Sequence, residues 1–327
     1  MARMKAIRAH EFGGPEVLRY DDMPEPAPGP GQVRVRLHAA GVNPFDTYML
    51  SGTYAIKPPL PYSPGADGAG VVEAVGDGVT GIAAGDRVYT GGTADHQSYG
   101  AYRQVVLCAP SQVHPLPGPV SFAEGAAVNV PALTAHVALE RATPRGGDVV
   151  LVHGASGSVG LAAVQMARAA GYTVVGTAGT DDGLALAAAA GAHHVVDHRD
   201  AGHAEKIQAL TSGRGPDVIL EMLANVNLDH DLTMIAPRGR IVVIGNRGRI
   251  EIDPRKIMAK HAVVTGLALW GLTAEEVTRG HEALAGALAS GALRPVVGSE
   301  LPLADAAEAH RRVMAPGARG KIVLLMP

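Results

Sequence analysis

The sequence contains very little cysteine and few aromatic residues. Among its 327 residues there is one cysteine, Cys108, and aromatic residues make up 4%. A single thiol excludes an intramolecular disulfide and a zinc lobe built from several cysteines, and it favours a reducing compartment. With so few aromatic side chains, we expect a core made mostly of alanine, valine and leucine, in which Cys108 is a small packed residue.

Long apolar runs and an excess of one charge are also missing. No segment approaches the roughly 20 residues of a membrane span. The first residues, MARMKAIRAHEFGGPE, lack the apolar stretch of a secretory signal. The formal net charge is −3, which provides no bulk attraction for nucleic acid. We therefore predict a cytoplasmic protein without a membrane partner, and the net charge does not favour nucleic acid as a partner, although it does not exclude a local basic patch.

The chain divides into two regions of different pattern. Short apolar segments separated by glycine and proline predict a mostly β domain over about the first 125 residues. Strand–helix alternation from Gly146 to about residue 268 predicts a doubly wound parallel sheet of Rossmann type. A last strand, Gly320 to Leu325, has to return to the first domain. The segment from Phe122 to Glu140 has a helical pattern that we expect to be interrupted at Pro131.

One segment, Val149 to Gly171, has the pattern of a nucleotide-binding turn. Its sequence is VVLVHGASGSVGLAAVQMARAAG. The β-branched run predicts a buried strand, the glycines predict a turn, and the remainder predicts a helix. The spacing Ala155-x-Gly157-x-x-Gly160 matches the dinucleotide fingerprint, with alanine replacing the first glycine.

Each glycine of this turn has a distinct physical role. The missing Cβ of Gly157 leaves room for a pyrophosphate, and that of Gly160 lets the helix lie close to the strand. Free N–H groups at the start of the helix attract phosphates. A tight turn without a ligand is the alternative, but the flanking strand and helix favour dinucleotide binding.

The end of the second strand indicates which dinucleotide binds. NAD sites usually place an acid at the tip of this strand to hold the ribose diol. Here the strand ends Gly176-Thr177-Ala178-Gly179-Thr180, with no acid at its tip. Because His198 and Arg199 lie at the end of the third strand, where they can meet a 2′-phosphate, we favour NADPH. The alternative is that these two residues form a solvated turn.

No metal-binding spacing is visible in the sequence. Neither H-E-x-x-H nor C-x-x-C occurs. His193 and His194 are adjacent, and on a strand adjacent side chains point to opposite faces. We therefore predict no metal site.

Several stretches together resemble a known family. They are EFGGPEVL (11–18), GVNPFDTY (41–48), SGTY (51–54), PYSPGADGAGVVEAVG (61–76), GDRV (85–88), LVHGASGSVGLAA (151–163), GTAGT (176–180), EMLANVNL (221–228) and GNRG (245–248). The chain resembles the zinc-independent, zeta-crystallin-like quinone oxidoreductases of the medium-chain dehydrogenase/reductase superfamily. This resemblance implies a GroES-like catalytic domain over residues 1–126 and 269–327, and a dinucleotide-binding Rossmann domain over residues 127–268.

The resemblance also implies a function without zinc. Zinc-dependent members carry a cysteine near the Asp of the 41–46 region and a His-Glu pair after the Pro-Gly. This chain has Asn43-Pro44 and Ala66-Asp67 there. The implied activity is metal-free transfer of a hydride or electrons from NADPH to quinones. A double-bond reductase acting on enones or alkenals is an alternative on the same fold. A non-catalytic structural, crystallin-like or RNA-binding role is another.

The resemblance assigns a set of residues to NADPH in the cleft between the domains. One of them, Ser158, stands where the family commonly has glycine, and a serine hydroxyl can still donate to a phosphate. The assigned residues are Tyr48, Thr134, Ser156, Gly157, Ser158, Val159, Gly179, His198, Asn227, Ile244, Gly245, Asn246 and Arg247.

The reduced substrate develops negative charge on oxygen, so the site needs hydrogen-bond donors. The candidate catalytic residues are Asn43, Tyr48 and Tyr54; the alternative is that the tyrosines merely line the pocket. Asp46 is a candidate base, although an acid following Pro44 more often caps a helix. Finally, the apolar segment 262–268, AVVTGLA, is expected at the edge of the sheet and predicts a homodimer or homotetramer.

Overall fold

The computed structural model describes residues 2–91 and 100–327. Its strands are β1 Arg3–Ala9, β2 Leu18–Pro24, β3 Val33–Val42, β4 Asp67–Val75, β5 Arg87–Thr90, β6 Val105–Cys108, β7 Val113–Pro115, β8 Val149–Val152, β9 Thr173–Ala178, β10 His194–Asp197, β11 Val218–Glu221, β12 Arg240–Val243, β13 Val263–Gly266, β14 Val297–Pro302 and β15 Lys321–Leu325. Its helices are α1 Pro44–Leu50, α2 Phe122–Gly125, α3 Asn129–Ala142, α4 Ser158–Ala169, α5 Asp181–Ala189, α6 His203–Leu210, α7 Ala224–Met234, α8 Pro254–Lys260, α9 Ala274–Ser290 and α10 Ala306–Met314.

Six parallel strands form a doubly wound sheet. Their order is β10-β9-β8-β11-β12-β13, with every neighbouring pair parallel. The chain leaves β8 in one direction and returns at β11 on its other side, so the order reverses between these two strands. In such sheets, ligands bind beyond the carboxyl ends of the strands at this reversal. The prediction of a Rossmann sheet is confirmed.

A second, mostly antiparallel sheet contains the remaining long strands. Its order is β14-β15-β3-β4-β5-β7, with β6 paired to the other end of β3. Strand β15 runs antiparallel to β3 and pairs Val323 with Gly41. This pairing confirms that the last strand returns to the first domain. The fold class is therefore α/β, with a Rossmann sheet and a separate GroES-like domain.

The two sheets share one hydrophobic cluster. It runs from Ala69 and Tyr89 of the second sheet, through Leu133 of α3, to Val150 and Val242 of the Rossmann sheet. Helix α3 thus packs between the two regions. The predicted domain boundaries, 1–126 with 269–327 and 127–268, stay a prediction.

Two local expectations need correction. The break in the 122–140 helical pattern lies at residues 126–128, not at Pro131, which sits in the first turn of α3. There its missing N–H leaves no hydrogen bond unmade. The sequence pattern also predicts a long irregular stretch from Gly41 to Pro64, but this stretch contains α1. Among the described helices, none is long and apolar enough to cross a membrane.

Candidate active site

The turn after β8 is shaped to receive an anion. Gly154 adopts a φ of 57°, a left-handed conformation that favours glycine. Gly157 then stands at the N-cap of α4 and has no side chain to cap the helix. By contrast, the Thr180 hydroxyl caps α5 by accepting from the Gly183 N–H. No side chain therefore caps the first N–H groups of α4, as expected of a helix start that binds an anion.

The glycines of this turn fit the roles that the sequence predicts. A Cβ on Gly160 would lie 2.4 Å from the Gly154 carbonyl oxygen, so this glycine permits the close packing of α4 on the turn. A Cβ on Gly157 would meet protein atoms no nearer than 3.4 Å. Among the described residues nothing therefore requires glycine at 157, and the missing side chain leaves the room that a diphosphate needs. These residues fit a dinucleotide.

A segment of the other domain closes one side of this turn. Gly320 donates its N–H to the Ser156 carbonyl oxygen at 2.8 Å. Arg319 beside it forms an ion pair with Asp182 in the first turn of α5. The predicted phosphate turn thus lies between the two domains, as the resemblance implies for the cofactor cleft.

The end of β9 is crowded against the end of β10. A Cβ on Gly179 would lie 2.5 Å from His198 Nε2, so only glycine lets the imidazole approach this closely. Burial lowers the pKa of His198. Arg199 is bound to Asp197, with Nη2 to Oδ2 at 2.9 Å. A 2′-phosphate at the predicted position would therefore contact the neutral imidazole of His198 and the guanidinium of Arg199, which is already paired with a carboxylate.

The loops after β11 and β12 are hydrogen-bonded to each other at the same edge. Ile244 donates its N–H to the Glu221 carbonyl oxygen at 2.8 Å, and the Gly245 carbonyl accepts from Ala224. A Cβ on Gly245 would lie 2.1 Å from the Met222 carbonyl oxygen, which explains the glycine. Asn246 Nδ2 donates to the Gly248 carbonyl oxygen at 2.7 Å.

Two further contacts extend this edge. The Arg247 N–H donates to Asn225 Oδ1 at 2.8 Å, and Arg247 Nη1 reaches the Met314 carbonyl oxygen of the other domain. Asn227 Nδ2 donates to Glu221 Oε1 at 3.1 Å. The structure therefore gathers Asn227 and residues 244–247 at the carboxyl ends of neighbouring strands.

The predicted catalytic tyrosines lie together. The Tyr48 carbonyl oxygen accepts from the Tyr54 N–H at 3.2 Å. Burial raises the pKa of the Tyr54 hydroxyl. A neutral phenol with a raised pKa remains a donor throughout the neutral range. Thr134, predicted to contact the nicotinamide, is buried on α3.

Asn43 lies in a buried polar network instead of standing free. Its Nδ2 donates to Asp67 Oδ2 at 2.9 Å, and its Oδ1 accepts from Lys321 Nζ at 2.6 Å. Lys321 also pairs with Asp67 Oδ2 at 2.5 Å, while Asp67 Oδ1 accepts from the Val130 N–H. This network ties β3, β4, β15 and α3 together. Its place there gives Asn43 a structural role beside the predicted catalytic one.

Asp46 caps α1. Its Oδ2 accepts from the Asn43 N–H at 2.9 Å and from the Tyr102 hydroxyl at 3.2 Å. Burial raises its pKa to about 7. Asp46 is 1% exposed and its Oδ2 already accepts two hydrogen bonds, so the capping interpretation is the one that the geometry supports.

Sequence reasoning missed two sets of residues. One is the pairing of Lys321 with Asp67, which lie 254 positions apart. The other is His153, Glu221 and Asp231, whose donor atoms lie within 4.8 Å of one another. Both sets come from distant elements, and their spacing follows no motif. The signal available in the sequence was the presence of charged residues within otherwise apolar strands.

Comparisons with known proteins agree with this geometry. Residues 29–118 match the family model for the alcohol dehydrogenase GroES-like domain, and residues 158–285 match that for zinc-binding dehydrogenases. Human quinone oxidoreductase is 47% identical over 326 residues, covering 99% of this chain and 98% of that protein.

Two further relatives have names that state a cofactor or a reaction. The structure of Escherichia coli quinone oxidoreductase complexed with NADPH has a TM-score of 0.88 and 32% identity, covering 98% of this chain and 99% of that one. A 2-haloacrylate reductase from a Burkholderia species is 32% identical and covers 97% of each chain.

Proposed function

This chain belongs to the quinone oxidoreductase family of the medium-chain dehydrogenase/reductase superfamily, and from that membership we propose that it reduces quinones with NADPH. The observation that carries the proposal is the glycine turn at 154–158, which has no side-chain cap and lies between two domains. When bound, the nicotinamide supplies the hydride. The protein binds, orients and donates hydrogen bonds.

Different residues of this chain have different roles in binding the cofactor and the substrate. The N–H groups at the start of α4 hold the diphosphate, and Asn227 with residues 244–247 lines the adjoining edge. Tyr48 and Tyr54 face the substrate from the other domain and donate to the oxygen that gains charge. A quinone suits a site of neutral donors, because reduction to an aromatic ring makes it a strong acceptor without added polarisation.

The direct test is an assay of the purified protein with NADPH and a panel of quinones, followed by the loss of NADPH absorbance. Naphthoquinone and phenanthrenequinone should be reduced, and a chelator should leave the rate unchanged, since Asn43 and Ala66 stand where zinc-dependent members place ligands. Absence of quinone-dependent NADPH oxidation, or its loss to the chelator, contradicts the proposal.

We expect the Tyr54→Phe variant to lower kcat. Removing one donor to a developing oxyanion costs about 3 kcal/mol, which is about 100-fold in rate. Tyr20→Phe is the matched control, because Tyr20 is 41% exposed on β2. Steady-state kinetics with one quinone measures both variants. Unchanged turnover in Tyr54→Phe shows that its hydroxyl is dispensable.

A double-bond reductase is the second candidate. The similarity to a 2-haloacrylate reductase favours it, because that name implies reduction of an electron-poor carbon–carbon double bond. The same neutral donors serve the carbonyl of an enone. Assaying a medium-chain enone beside the quinones separates the two candidates by kcat/KM.

We also propose a homodimer or homotetramer in the cytoplasm. Strand β13 is the edge of the Rossmann sheet, and its Val263 is 54% exposed. An exposed apolar edge favours pairing with a second copy. Light scattering after size exclusion at micromolar concentration should give at least twice the chain mass; the monomer mass contradicts this assembly.

A further inference from the structure

A group of buried titratable side chains lies behind the predicted diphosphate turn. We call His153, Glu221 and Asp231 the carboxyl cluster. His153 follows β8, Glu221 ends β11, and Asp231 lies on α7, so the cluster sits where the strand order reverses. All three residues are buried, and both carboxylates are fully so.

Most atoms of this cluster have a defined partner. His153 Nε2 lies 2.9 Å from Asp231 Oδ1, and His153 Nδ1 lies 3.2 Å from the Thr177 hydroxyl. Glu221 Oε1 accepts from the Leu223 N–H and from Asn227 Nδ2. Burial lowers the pKa of His153, so its ring is neutral and donates from Nε2 to Asp231.

Two oxygens stay unpaired in this arrangement. Glu221 Oε2 and Asp231 Oδ2 are buried and accept no N–H or O–H from residues 2–91 or 100–327. Two ionised carboxylates with a neutral imidazole would also leave two uncompensated charges in the core, at high cost. One proton on Glu221 Oε2, donated to Asp231 Oδ2, satisfies both oxygens and removes one charge.

We propose that Glu221 and Asp231 share one proton, and that this proton keeps Asn227 positioned for NADPH, so that binding weakens when it is lost. The inference rests on the proposed function for its ligand. Because Glu221 Oε1 accepts from Asn227 Nδ2, the amide oxygen of Asn227 is turned away from Glu221 and is left for the nucleotide. Glu221 is thus a positioning residue.

Loss of the shared proton has two effects, and both weaken NADPH binding. The two carboxylates repel each other, which displaces Glu221 and with it the Leu223 N–H and Asn227. A second negative charge also appears behind a turn that binds a diphosphate. Both effects lower the affinity for an anionic dinucleotide.

The surrounding charges do not titrate in the same range. Burial lowers the pKa of His198, which faces His153 from the end of β10. Asp229, on the outer side of α7, has its pKa lowered by a hydrogen bond from Lys256 of α8. Burial raises the pKa of Glu221 to about 8 and that of Asp231 to about 7. The shared proton therefore leaves just above neutral pH.

The direction of the pH effect follows from these shifts. An acid whose pKa is raised by folding loses its proton earlier in the unfolded chain, so stability falls as pH rises from the ordinary glutamate value of 4.5 to about 8. NADPH affinity falls above about pH 8, by at most about tenfold per pH unit for one linked proton. A glutamine at 221 keeps both hydrogen bonds and has no proton to lose.

The experiment measures the NADPH dissociation constant between pH 7.5 and 9.5 for the wild type, Glu221→Gln and Glu205→Gln. Glu205 is exposed on α6 and provides the matched control. We expect at least about tenfold weakening in the wild type and the control, and less than about twofold in Glu221→Gln. An equal change of the NADPH dissociation constant with pH in all three proteins overturns the proposal. A stoichiometric metal ion bound at the carboxyl cluster also overturns it.

Two further readouts separate this inference from the proposed function. Without nucleotide, the melting temperature of the wild type should fall between pH 6 and 8, and that of Glu221→Gln should fall less. An equal fall of the melting temperature in the wild type and in Glu221→Gln contradicts the shared proton, even if NADPH binds. Calorimetry of NADPH binding to the wild type at pH 8, in buffers of different ionisation enthalpy, should show proton uptake. Zero uptake overturns the proposal, whereas no binding at any pH overturns the proposed function.

Discussion

Replacing Gly157 with valine is expected to abolish NADPH binding while leaving the fold intact. The added side chain occupies the space in front of α4 that a diphosphate requires, and we expect affinity to fall by more than about 1,000-fold, or about 4 kcal/mol. We expect the fold to tolerate the change, because a Cβ at 157 would lie no nearer than 3.4 Å to atoms of the described residues and φ is −75°. Fluorescence titration with NADPH measures the loss.

Gly286→Ala provides the control for this variant. Gly286 lies on α9 with no atom of residues 2–91 or 100–327 within 4 Å of its Cβ position, so the substitution should leave the affinity unchanged and should not lower the melting temperature. Gly160→Val should instead destabilise the protein, since its Cβ would collide with the Gly154 carbonyl oxygen. Retained NADPH affinity in Gly157→Val places the nucleotide somewhere other than this turn.

Replacing Lys321 with methionine is expected to lower the free energy of unfolding by about 3–5 kcal/mol. Lys321 is 1% exposed and Asp67 is fully buried, so the variant leaves the Asp67 carboxylate without its cation in the core. Urea denaturation measures the change. Lys5→Met is the control, because Lys5 pairs with Asp22 at the surface, where such a pair contributes about 0–1 kcal/mol.

A second substitution sharpens this prediction. Adding Asp67→Asn to Lys321→Met removes the unpaired charge and keeps an amide for the remaining hydrogen bonds, so it should recover much of the lost stability. A loss in Lys321→Met no larger than that in Lys5→Met, or a double variant less stable than the single one, contradicts the role given to this pair.

Local patterns in the sequence predict much of the fold. The glycine turn, the β-branched strands that flank it and the helix ending near Gly171 each carry their own signal, because strand, turn and helix propensities depend on neighbouring residues. Cys108 is likewise buried, as its small apolar side chain predicts, and burial raises its pKa to about 12.

Contacts between distant segments are what the sequence does not reveal. Nothing near Lys321 indicates that it pairs with Asp67, and nothing near His153 indicates that Asp231 lies beside it. The helical break was misplaced because proline disrupts a helix interior but suits its first turn, and the start of α3 depends on packing between the domains. The hydrogen bonds from Asn43 to Asp67 and Lys321 also required the full fold.

The proposed function depends above all on binding of the NADPH diphosphate by the backbone turn at 154–158, between the two domains. A crystal structure of the protein with NADPH tests it most directly. We predict the diphosphate oxygens within hydrogen-bonding distance of the first N–H groups of α4, with the nicotinamide on the side of Tyr48 and Tyr54. NADPH bound elsewhere, with this turn vacant, contradicts the account.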